Sequence, residues 1–309
     1  MSKKITNQSK KLSFTVKLIE WGRLNGRKNL PWSPPFGGVY DPYKVWVSEI
    51  MLQQTKLKTG IKHFKNFMLI FPSVEELAKS KLEKVLFAWV GLGYYARAKN
   101  LHRSALMISS EKQTYFPKCA NEWIKLPGVG FSTAASISAF VNHERVPVMD
   151  ANVIRVFARQ FMLKELQGSV GLKNKILPIA SRFLPLRSVD MPIYTQSIMD
   201  LGATICLPRN PKCTQCPVSS SCCSNIMNQT NSYPMRKIKM HRERKKINWL
   251  IPYTNDSIAL TLLKSSRLWE GLWTPIQIIN KDQIPNEAHL IKKFETPISN
   301  FRLEVSLWA

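Results

Sequence analysis

Four cysteines in one short, polar segment constrain this chain more than any other feature of its sequence. The segment spans residues 206–222 and is rich in Pro, Ser and Asn. It therefore holds too few apolar side chains to bury four unligated thiols. Short loops with these spacings can bring four thiolates around one metal centre. The cysteines follow a C-x6-C-x2-C-x5-C pattern and are Cys206, Cys213, Cys216 and Cys222.

The spacing also narrows the kind of metal centre. Zinc accepts four thiolates, but zinc ribbons usually pair two C-x2-C knuckles, and this segment contains one. An iron–sulfur cluster is therefore favoured over zinc. Cys223 stands beside Cys222 and is an alternative fourth ligand, whereas the isolated Cys119 is interpreted as a packed residue.

Nothing in the sequence indicates export or membrane insertion, so a cytoplasmic protein is expected. The Lys-rich N-terminal segment lacks the apolar core and the cleavage site of a signal peptide. The densest apolar run, VLFAWVGLGYYA, is too short to span a bilayer and is interrupted by glycines. In a reducing compartment, the six cysteines are more often metal ligands or core residues than disulfides.

The charge balance predicts a polyanionic partner. Lys and Arg number 45 against 20 Asp and Glu, which gives a formal net charge of +25. Such an excess is typical of proteins that bind nucleic acid. The segment MRKIKMHRERKK, at 235–246, carries seven basic residues and one acid. This composition suits a solvated linker close to phosphates.

Two regions of different periodicity predict two domains. Apolar residues recur at intervals of three and four up to about residue 224, which predicts a helical domain over 1–224. Residues 225–247 are assigned to a basic linker. From 248 to 309, short β-branched or aromatic runs are separated by turns. The predicted fold is therefore mainly α, with a small α+β or β-rich C-terminal domain.

A glycine turn between two helices predicts a helix-hairpin-helix at about 120–141. In LPGVGFSTAA the first helix ends near Lys125, the turn contains Gly128 and Gly130, and the second helix starts at about Phe131. Glycines allow close approach of the backbone, and N–H groups beside a helix N-terminus suit a phosphate oxygen. A plain connector between helices has the same pattern, so this motif alone leaves both interpretations open.

Two carboxylates stand next to apolar helical segments. Glu49, in SEIMLQQT, is the one acid in one of the most apolar parts of the chain. Asp150 precedes the apolar helix NVIRV, where a carboxylate can cap the helix N-terminus. It can also face a developing cation, and the two roles are compatible.

Taken together, these pieces resemble the helix-hairpin-helix DNA glycosylases that carry an iron–sulfur cluster. Within that superfamily the chain is most similar to the adenine DNA glycosylases of the MutY type. The matching motifs occur in order as LPW, YKVWVSEIMLQQT, GLGYYARAKNLH, LPGVG, MDANVIRV and MDLGATIC, followed by the cysteines. The similarity covers roughly residues 15–225 closely and the rest weakly.

The resemblance implies a catalytic role for three residues. Glu49 matches the family's catalytic acid, which protonates N7 of adenine so that the base leaves its sugar more easily. Apolar surroundings suit this role because they raise the pKa of a carboxylic acid. Asp150 matches the second carboxylate, which stabilises the oxocarbenium-like sugar, as in glycoside hydrolysis. Asn152 matches a polar residue beside the catalytic centre.

The same resemblance implies contacts with the base and the duplex. Trp32 and Gln196 match positions that line the adenine pocket. Gln54 and Tyr94 match residues that enter the duplex where the bases are parted, since the target base must leave the stack. Ser132 stands where lyase relatives of the endonuclease III type carry a Schiff-base lysine, which implies a monofunctional glycosylase.

The chain departs from the family pattern at a few positions. Ala151 replaces the usual glycine after the aspartate. The C-terminal segment resembles a Nudix-like domain without its acid-rich box, and at Ala309 it stops before the expected last elements. The family reads 8-oxoguanine with a Phe-Ser-His loop, and the matching residues here are Ile298, Ser299 and Asn300. A reduced preference for 8-oxoguanine is therefore expected.

The resemblance implies a monomeric, bacterial-type, nucleoid-associated base excision repair enzyme with one [4Fe-4S] cluster. Its reaction would hydrolyse the N-glycosidic bond of adenine paired with 8-oxoguanine or guanine in duplex DNA. One alternative is another mismatch or pyrimidine glycosylase or lyase of the superfamily, against which Ser132 and Gln196 argue. The other is a degenerate DNA-binding protein without activity, against which Glu49 and Asp150 argue.

Overall fold

A computed structural model describes residues 2–34, 38–109, 113–236, 243–264, 269–298 and 301–309. The chain divides into two units, Met1–Lys237 and Ile238–Ala309. The first unit is helical and the second is built from strands, which confirms the predicted mainly α fold with a small strand-containing region at the C-terminus. Within the described ranges, no helix combines the length and the hydropathy needed to cross a bilayer.

The helices of the first unit alternate with short loops. They are α1 (Ser2–Asn25), α2 (Pro42–Leu52), α3 (Leu57–Ile70), α4 (Val74–Lys79), α5 (Leu82–Ala88), α6 (Ala96–Ile108), α7 (Ala120–Trp123), α8 (Phe131–Val141), α9 (Ala151–Gln160), α10 (Val170–Arg182), α11 (Met191–Asp200) and α12 (Cys223–Ile226). Helices α7 and α8 form the predicted helix-hairpin-helix.

Local sequence signals explain where helix α2 begins. The carboxylate of Asp41 accepts hydrogen bonds from the backbone N–H groups of Tyr43 and Lys44, at 2.9 and 3.2 Å. Pro42 occupies the first turn, where a missing N–H costs nothing. Most of the helix is buried, and Trp46 is fully enclosed. The helix therefore carries Glu49 through the interior of the unit.

Two hydrophobic cores occupy the first unit, and helix α8 belongs to both. Side chains of α2 to α7 surround the first core, to which α8 contributes Ala134, Ile137 and Phe140. Side chains of α1 and α9 to α11 surround the second core, to which α8 contributes Ala135 and Ala139. The unit is therefore two-lobed, and α8 forms the wall between the lobes.

The buried guanidinium of Arg159, on α9, organises the segment that follows the cysteine loop, residues 206–222. Its Nε donates to the carbonyl oxygens of Thr230 and Tyr233, at 2.8 and 2.9 Å. Its Nη1 donates to the carbonyl oxygen of Leu207 at 2.6 Å. Residues around 230–233, which the sequence analysis assigned to the linker, are thus bonded to the helical unit.

The second unit contains a four-stranded sheet in the order β4-β1-β6-β5 and a separate β2-β3 pair. Strands β1 and β6 are parallel, whereas β1 with β4 and β5 with β6 are antiparallel. Beside the strands, the described residues of this unit contain a short 3-10 turn at Lys281–Gln283. The strands are β1 (Glu243–Leu250), β2 (Thr261–Leu262), β3 (Trp273–Thr274), β4 (Ile276–Ile278), β5 (Leu290–Ile298) and β6 (Phe301–Trp308).

Two details of this unit differ from the expectation. Strand β1 starts at Glu243, so residues 243–247 of the predicted linker lie in the sheet. Strand β5 was not anticipated, because its sequence LIKKFETPI is charged and contains a proline. Most of its side chains are exposed, as suits a strand at the edge of a sheet. The Nudix likeness of the unit stays a prediction.

We expect Gly22→Ala to destabilise the first unit. A Cβ on Gly22 of α1 would lie 2.7 Å from Cβ and 1.7 Å from Oγ of Ser197 on α11, so the two helices would have to separate. Such overpacking typically costs about 1–3 kcal/mol. Gly171→Ala in α10 is the control, because a Cβ there meets nothing closer than 4.0 Å. Thermal unfolding should show a lower midpoint for Gly22→Ala alone; equal midpoints would contradict the packing of α1 on α11.

Candidate functional site

One cavity of about 750 Å³ collects most of the residues that the sequence singled out. It lies between α2, the hairpin before α8, the start of α9, and α11. Tyr94 and Gly128 are not among the residues that line it. The predicted residues that do line it are Trp32, Glu49, Gln54, Gly130, Ser132, Asp150, Asn152 and Gln196.

The environment of Glu49 favours its neutral form. Burial on α2, together with the negative charge of Asp150, raises the pKa of this carboxyl to about 7. The Ser136 hydroxyl and the Arg27 guanidinium act in the opposite direction. Desolvation prevails, because a buried anion loses more hydration than these neighbours replace. A substantial fraction of Glu49 is therefore protonated at neutral pH.

Asp150 is the N-cap of helix α9. Its Oδ1 accepts a hydrogen bond of 2.6 Å from the backbone N–H of Val153. Burial raises the pKa of this carboxyl, and the N–H groups of Val153 and Asn152, with the charge of Arg155, oppose that rise. Ala151, which follows it, lies on the exposed first turn of α9. The capping role and a position facing the cavity therefore coexist, as the sequence analysis allowed.

Asn152 links the cavity to the cysteine loop through Arg155. Nη2 of Arg155 donates to Oδ1 of Asn152 at 2.8 Å and to the carbonyl oxygen of Gly202 at 2.6 Å. Its Nε donates to the carbonyl oxygen of Cys206 at 2.7 Å. Arg155 is only 4% exposed. One side chain thus fixes both the amide of Asn152 and the backbone at the first cysteine.

A buried carboxylate orients Gln196 on the opposite wall. Nε2 of Gln196 donates to Oδ1 of Asp200 at 2.7 Å. The same carboxylate accepts a bond of 2.7 Å from the backbone N–H of Arg27 and another from its Nε. Asp200 is 1% exposed, so its carboxylate is shielded from water, whereas the side chain of Arg27 is 29% exposed. This bond uses one of the two N–H groups of Nε2 and fixes the orientation of the amide, so Gln196 offers its amide oxygen as a hydrogen-bond acceptor.

Trp32 and Ser132 complete the walls. Trp32 is buried and packs edge-on against Phe64, with ring centroids 5.2 Å apart. The hydroxyl of Ser132 accepts a hydrogen bond of 3.2 Å from the backbone N–H of Met149. Ser132 therefore brings a hydroxyl to the cavity, where a lysine would bring an amine.

The hairpin turn is held against the end of α2. Gly128 has a φ of 78°, and a Cβ there would lie 2.8 Å from Cβ of Asn100, so only glycine fits. The side-chain amide of Gln53 donates to the carbonyl oxygen of Gly128 at 3.4 Å and to Oγ1 of Thr133 at 3.1 Å. Gly130 is the N-cap of α8.

The residues expected to enter a duplex stand on two exposed turns. Gln54 follows α2 with a φ of 57°, and Tyr94 precedes α6 with a φ of 49°. The side chain of Tyr94 is 55% exposed. In the C-terminal unit, Ile298 ends β5, whereas Ser299 and Asn300 lie outside the described residues.

The four predicted cysteine ligands line one small cavity with Arg159, whereas Cys223 is exposed and does not line it. All four thiols are free, and Nη1 of Arg159 donates to Sγ of Cys206 at 3.3 Å. Burial, together with the three neighbouring thiols, raises the pKa of Cys216 to about 12. Among the residues with described positions, no three His, Cys, Asp or Glu side chains are grouped closely enough to hold a single metal ion.

Several residues of the site were not predicted from the sequence. Asp200 carried a usable signal, since it is an acid within an apolar helix, as Glu49 is. Arg27 carried none, because it stands in a polar loop and reaches the cavity only through the tertiary fold. Arg155 had the appearance of an ordinary cation on a helix surface.

Comparison with known proteins agrees with this geometry. Residues 47–178 match the family described as HhH-GPD superfamily base excision DNA repair protein. An adenine DNA glycosylase of Buchnera aphidicola from Schizaphis graminum is 34% identical, over 94% of this chain and 86% of the relative. The human adenine DNA glycosylase is 35% identical, over 68% of this chain and 39% of the relative.

Solved structures share the fold at lower identity. A thermostable thymine-DNA glycosylase aligns with a TM-score of 0.61 at 24% identity, over 72% of this chain and 99% of that chain. An endonuclease III in a non-covalent DNA complex aligns with a TM-score of 0.54 at 18% identity, over 71% of this chain and 97% of that chain. With curated relatives at 34% and 35% identity over most of its length, the chain belongs to the adenine DNA glycosylases of the HhH-GPD superfamily.

Proposed function

We propose that this protein removes adenine paired with 8-oxoguanine or guanine from duplex DNA by hydrolysing the N-glycosidic bond. The observation that carries the proposal is the pair of carboxylates in one cavity, of which Glu49 has a pKa raised to about 7 and is partly protonated at neutral pH. Adenine is proposed as the excised base because the relatives are named adenine DNA glycosylases. The net charge of +25 suits duplex DNA as the partner. The protein would act as a monomer in the cytoplasm of a bacterial-type cell.

Glu49 would act as the general acid. Its raised pKa allows it to carry a proton at neutral pH and to deliver that proton to N7 of the extruded adenine. The base then departs as a neutral leaving group, and the carboxylate left on Glu49 can orient the attacking water. Asp150, whose charge is supported by two backbone N–H groups, would face the oxocarbenium-like sugar.

The far wall would select the base. The amide oxygen of Gln196 is left as an acceptor by the bond to Asp200, and the exocyclic amino group of adenine is a donor. A base with a carbonyl at that position would bring two acceptors together, which disfavours it. Trp32 supplies an aromatic surface beside this acceptor. Ser132 cannot form a Schiff base, so the reaction would stop at the abasic site.

We expect Glu49→Gln to abolish excision while duplex binding stays within a few-fold of wild type. The amide keeps the shape of the side chain but has no acidic proton to donate at neutral pH. Duplexes with A opposite 8-oxoguanine, G or T are incubated with excess enzyme and treated with alkali, which cleaves at abasic sites. A titration measures binding by both proteins. Excision by Glu49→Gln at a rate near wild type would remove Glu49 from the role of acid.

The raised pKa of Glu49 also predicts a stability difference. The pKa is about 7 in the folded protein against an ordinary value of 4.5, so unfolding releases a proton between these pH values. Rising pH therefore lowers the free energy of unfolding through this window. Glu49→Gln removes the effect and should be more stable than wild type by about 1–3 kcal/mol at pH 8. At pH 4 the difference should vanish, and urea titrations at both pH values measure it.

We also propose that the four cysteines bind a [4Fe-4S] cluster. The thiols of Cys206, Cys213, Cys216 and Cys222 line one small cavity, and four thiolates are the ligand set of such a cluster. Nη1 of Arg159 would donate to the sulfur of Cys206, and such bonds stabilise a thiolate ligand. When bound, the cluster would cross-link a loop that has few apolar side chains of its own.

Metal analysis should find four iron and four sulfide per chain in protein purified without oxygen, as the resemblance implies. Cys213→Ser should lower the iron content and the soluble yield, because the loop loses a ligand. Cys223→Ser is the matched control and should behave as wild type, since Cys223 is exposed outside the cavity. Stoichiometric zinc, or loss of iron in Cys223→Ser, would overturn the assignment.

A further inference from the structure

The guanidinium of Arg97 joins two turns that are far apart in sequence. Arg97 stands in the first turn of α6. Its Nη1 donates to the carbonyl oxygens of Ile50, Met51 and Gln53, at 3.0, 2.9 and 2.6 Å. It also lies 3.3 Å from Oγ1 of Thr55. These groups form the end of α2, where carbonyls lack partners within the helix.

The other arm of the same guanidinium holds the second turn. Nη2 donates to the carbonyl oxygens of Leu92 and Gly93, at 3.1 and 3.2 Å. The group also lies over the rings of Trp89 and Tyr94, at 5.4 and 5.7 Å from their centroids. Trp89 is fully buried, so it gives the guanidinium a fixed surface.

Each of the two turns carries a residue in the left-handed region. Gln54 has a φ of 57° and Tyr94 a φ of 49°, and neither is a glycine. Such conformations persist only where the surroundings determine them strongly. The bonds of Arg97 end at the residue before Gln54 and at the residue before Tyr94. Among the ion pairs of the described residues, none involves Arg97, so the cation is dedicated to backbone carbonyls and aromatic rings.

We propose that Arg97 is a positioning residue that holds Gln54 and Tyr94 as one rigid, two-pronged element for entry into the duplex. The inference rests on the proposed function and concerns the extrusion of the base, which precedes the chemistry at Glu49. Bases leave the stack at a cost of a few kcal/mol, and the residues that fill the gap offset that cost. Two prongs at a fixed separation fill it better than two turns that move independently.

Arginine is required for this role by its shape. The planar guanidinium presents donors in two directions and can reach both sets of carbonyls at once. An ammonium group is a point charge and cannot bridge the two turns while it lies over Trp89. Arg97→Lys therefore conserves the charge and removes the bridge. Arg103→Ala, on the exposed face of the same helix, removes a charge and leaves the bridge intact.

The first measurement reports extrusion without chemistry. In a Glu49→Gln background, a duplex with A opposite G carries 2-aminopurine next to the target adenine, and its fluorescence rises when stacking is lost. At saturating protein we expect a full rise with Arg97 and with Arg103→Ala, and a rise several-fold smaller with Arg97→Lys. In the Glu49 protein, single-turnover excision should fall about 10- to 100-fold for Arg97→Lys.

The second measurement tests the coupling between the two turns directly. Gln54→Ala and Tyr94→Ala are made singly and together, with Arg97 and with Arg97→Lys, and excision rates are measured for each. With Arg97 the two effects should be non-additive, because either change weakens one shared element. With Arg97→Lys they should become additive. Iron content and thermal midpoint verify that each variant is folded.

The outcomes separate this inference from the proposed function. Absence of adenine excision by the wild-type protein would contradict the proposed function. Wild-type excision, together with an undiminished fluorescence rise in Arg97→Lys or with equal coupling in both backgrounds, would contradict the role of Arg97 alone.

Discussion

Two hydrophobic cores pack against opposite faces of helix α8, and the small side chains of that helix bring the two lobes close together. Glu49 belongs to a helix of the first lobe, and Asp150 caps a helix of the second. The width of the cavity between them is therefore determined by α8 and the hairpin before it. Close packing transmits a change of volume in a core to its surroundings. A bulkier residue at Ala135 or Ala139 would change the width of the cavity through the packing of α8, without contacting the cavity itself.

Local signals made much of this arrangement predictable. The helical periodicity, the hairpin glycines and the acid in an apolar helix are each encoded within a few consecutive residues, and the cavity contains Glu49 and Asp150 as expected. The bond between Arg27 and Asp200 was not predictable, because residues 173 apart in the sequence meet only after folding. Strand β5 was not predicted for a different reason. An edge strand is exposed, so charged residues replace the apolar alternation that marks a buried strand.

Three arginines of the helical unit share a way of organising irregular backbone. Arg97 and Arg159 each donate to carbonyl oxygens of two separate segments, and Arg155 donates to those of Gly202 and Cys206. A carbonyl outside a helix or sheet needs a donor when it is removed from water, and a guanidinium carries five N–H groups. The turns before Gln54 and Tyr94 and the cysteine loop are thereby held in place, although the loop has no more than short 3-10 helices of its own. A large share of the order in the loops thus originates from side chains on helices.

The burial of Glu49 has a consequence for how such a protein changes over generations. The environment that raises the pKa of this carboxyl opposes its ionisation, so the fold carries a penalty at the residue that is proposed as the acid. Many neutral side chains of similar size would fit the interior with less penalty. Random substitution at this position therefore tends to increase the stability of the fold. Proteins generally sit just above the stability they need. A lineage that no longer required the reaction would be expected to lose this acid early, while the fold around it persisted.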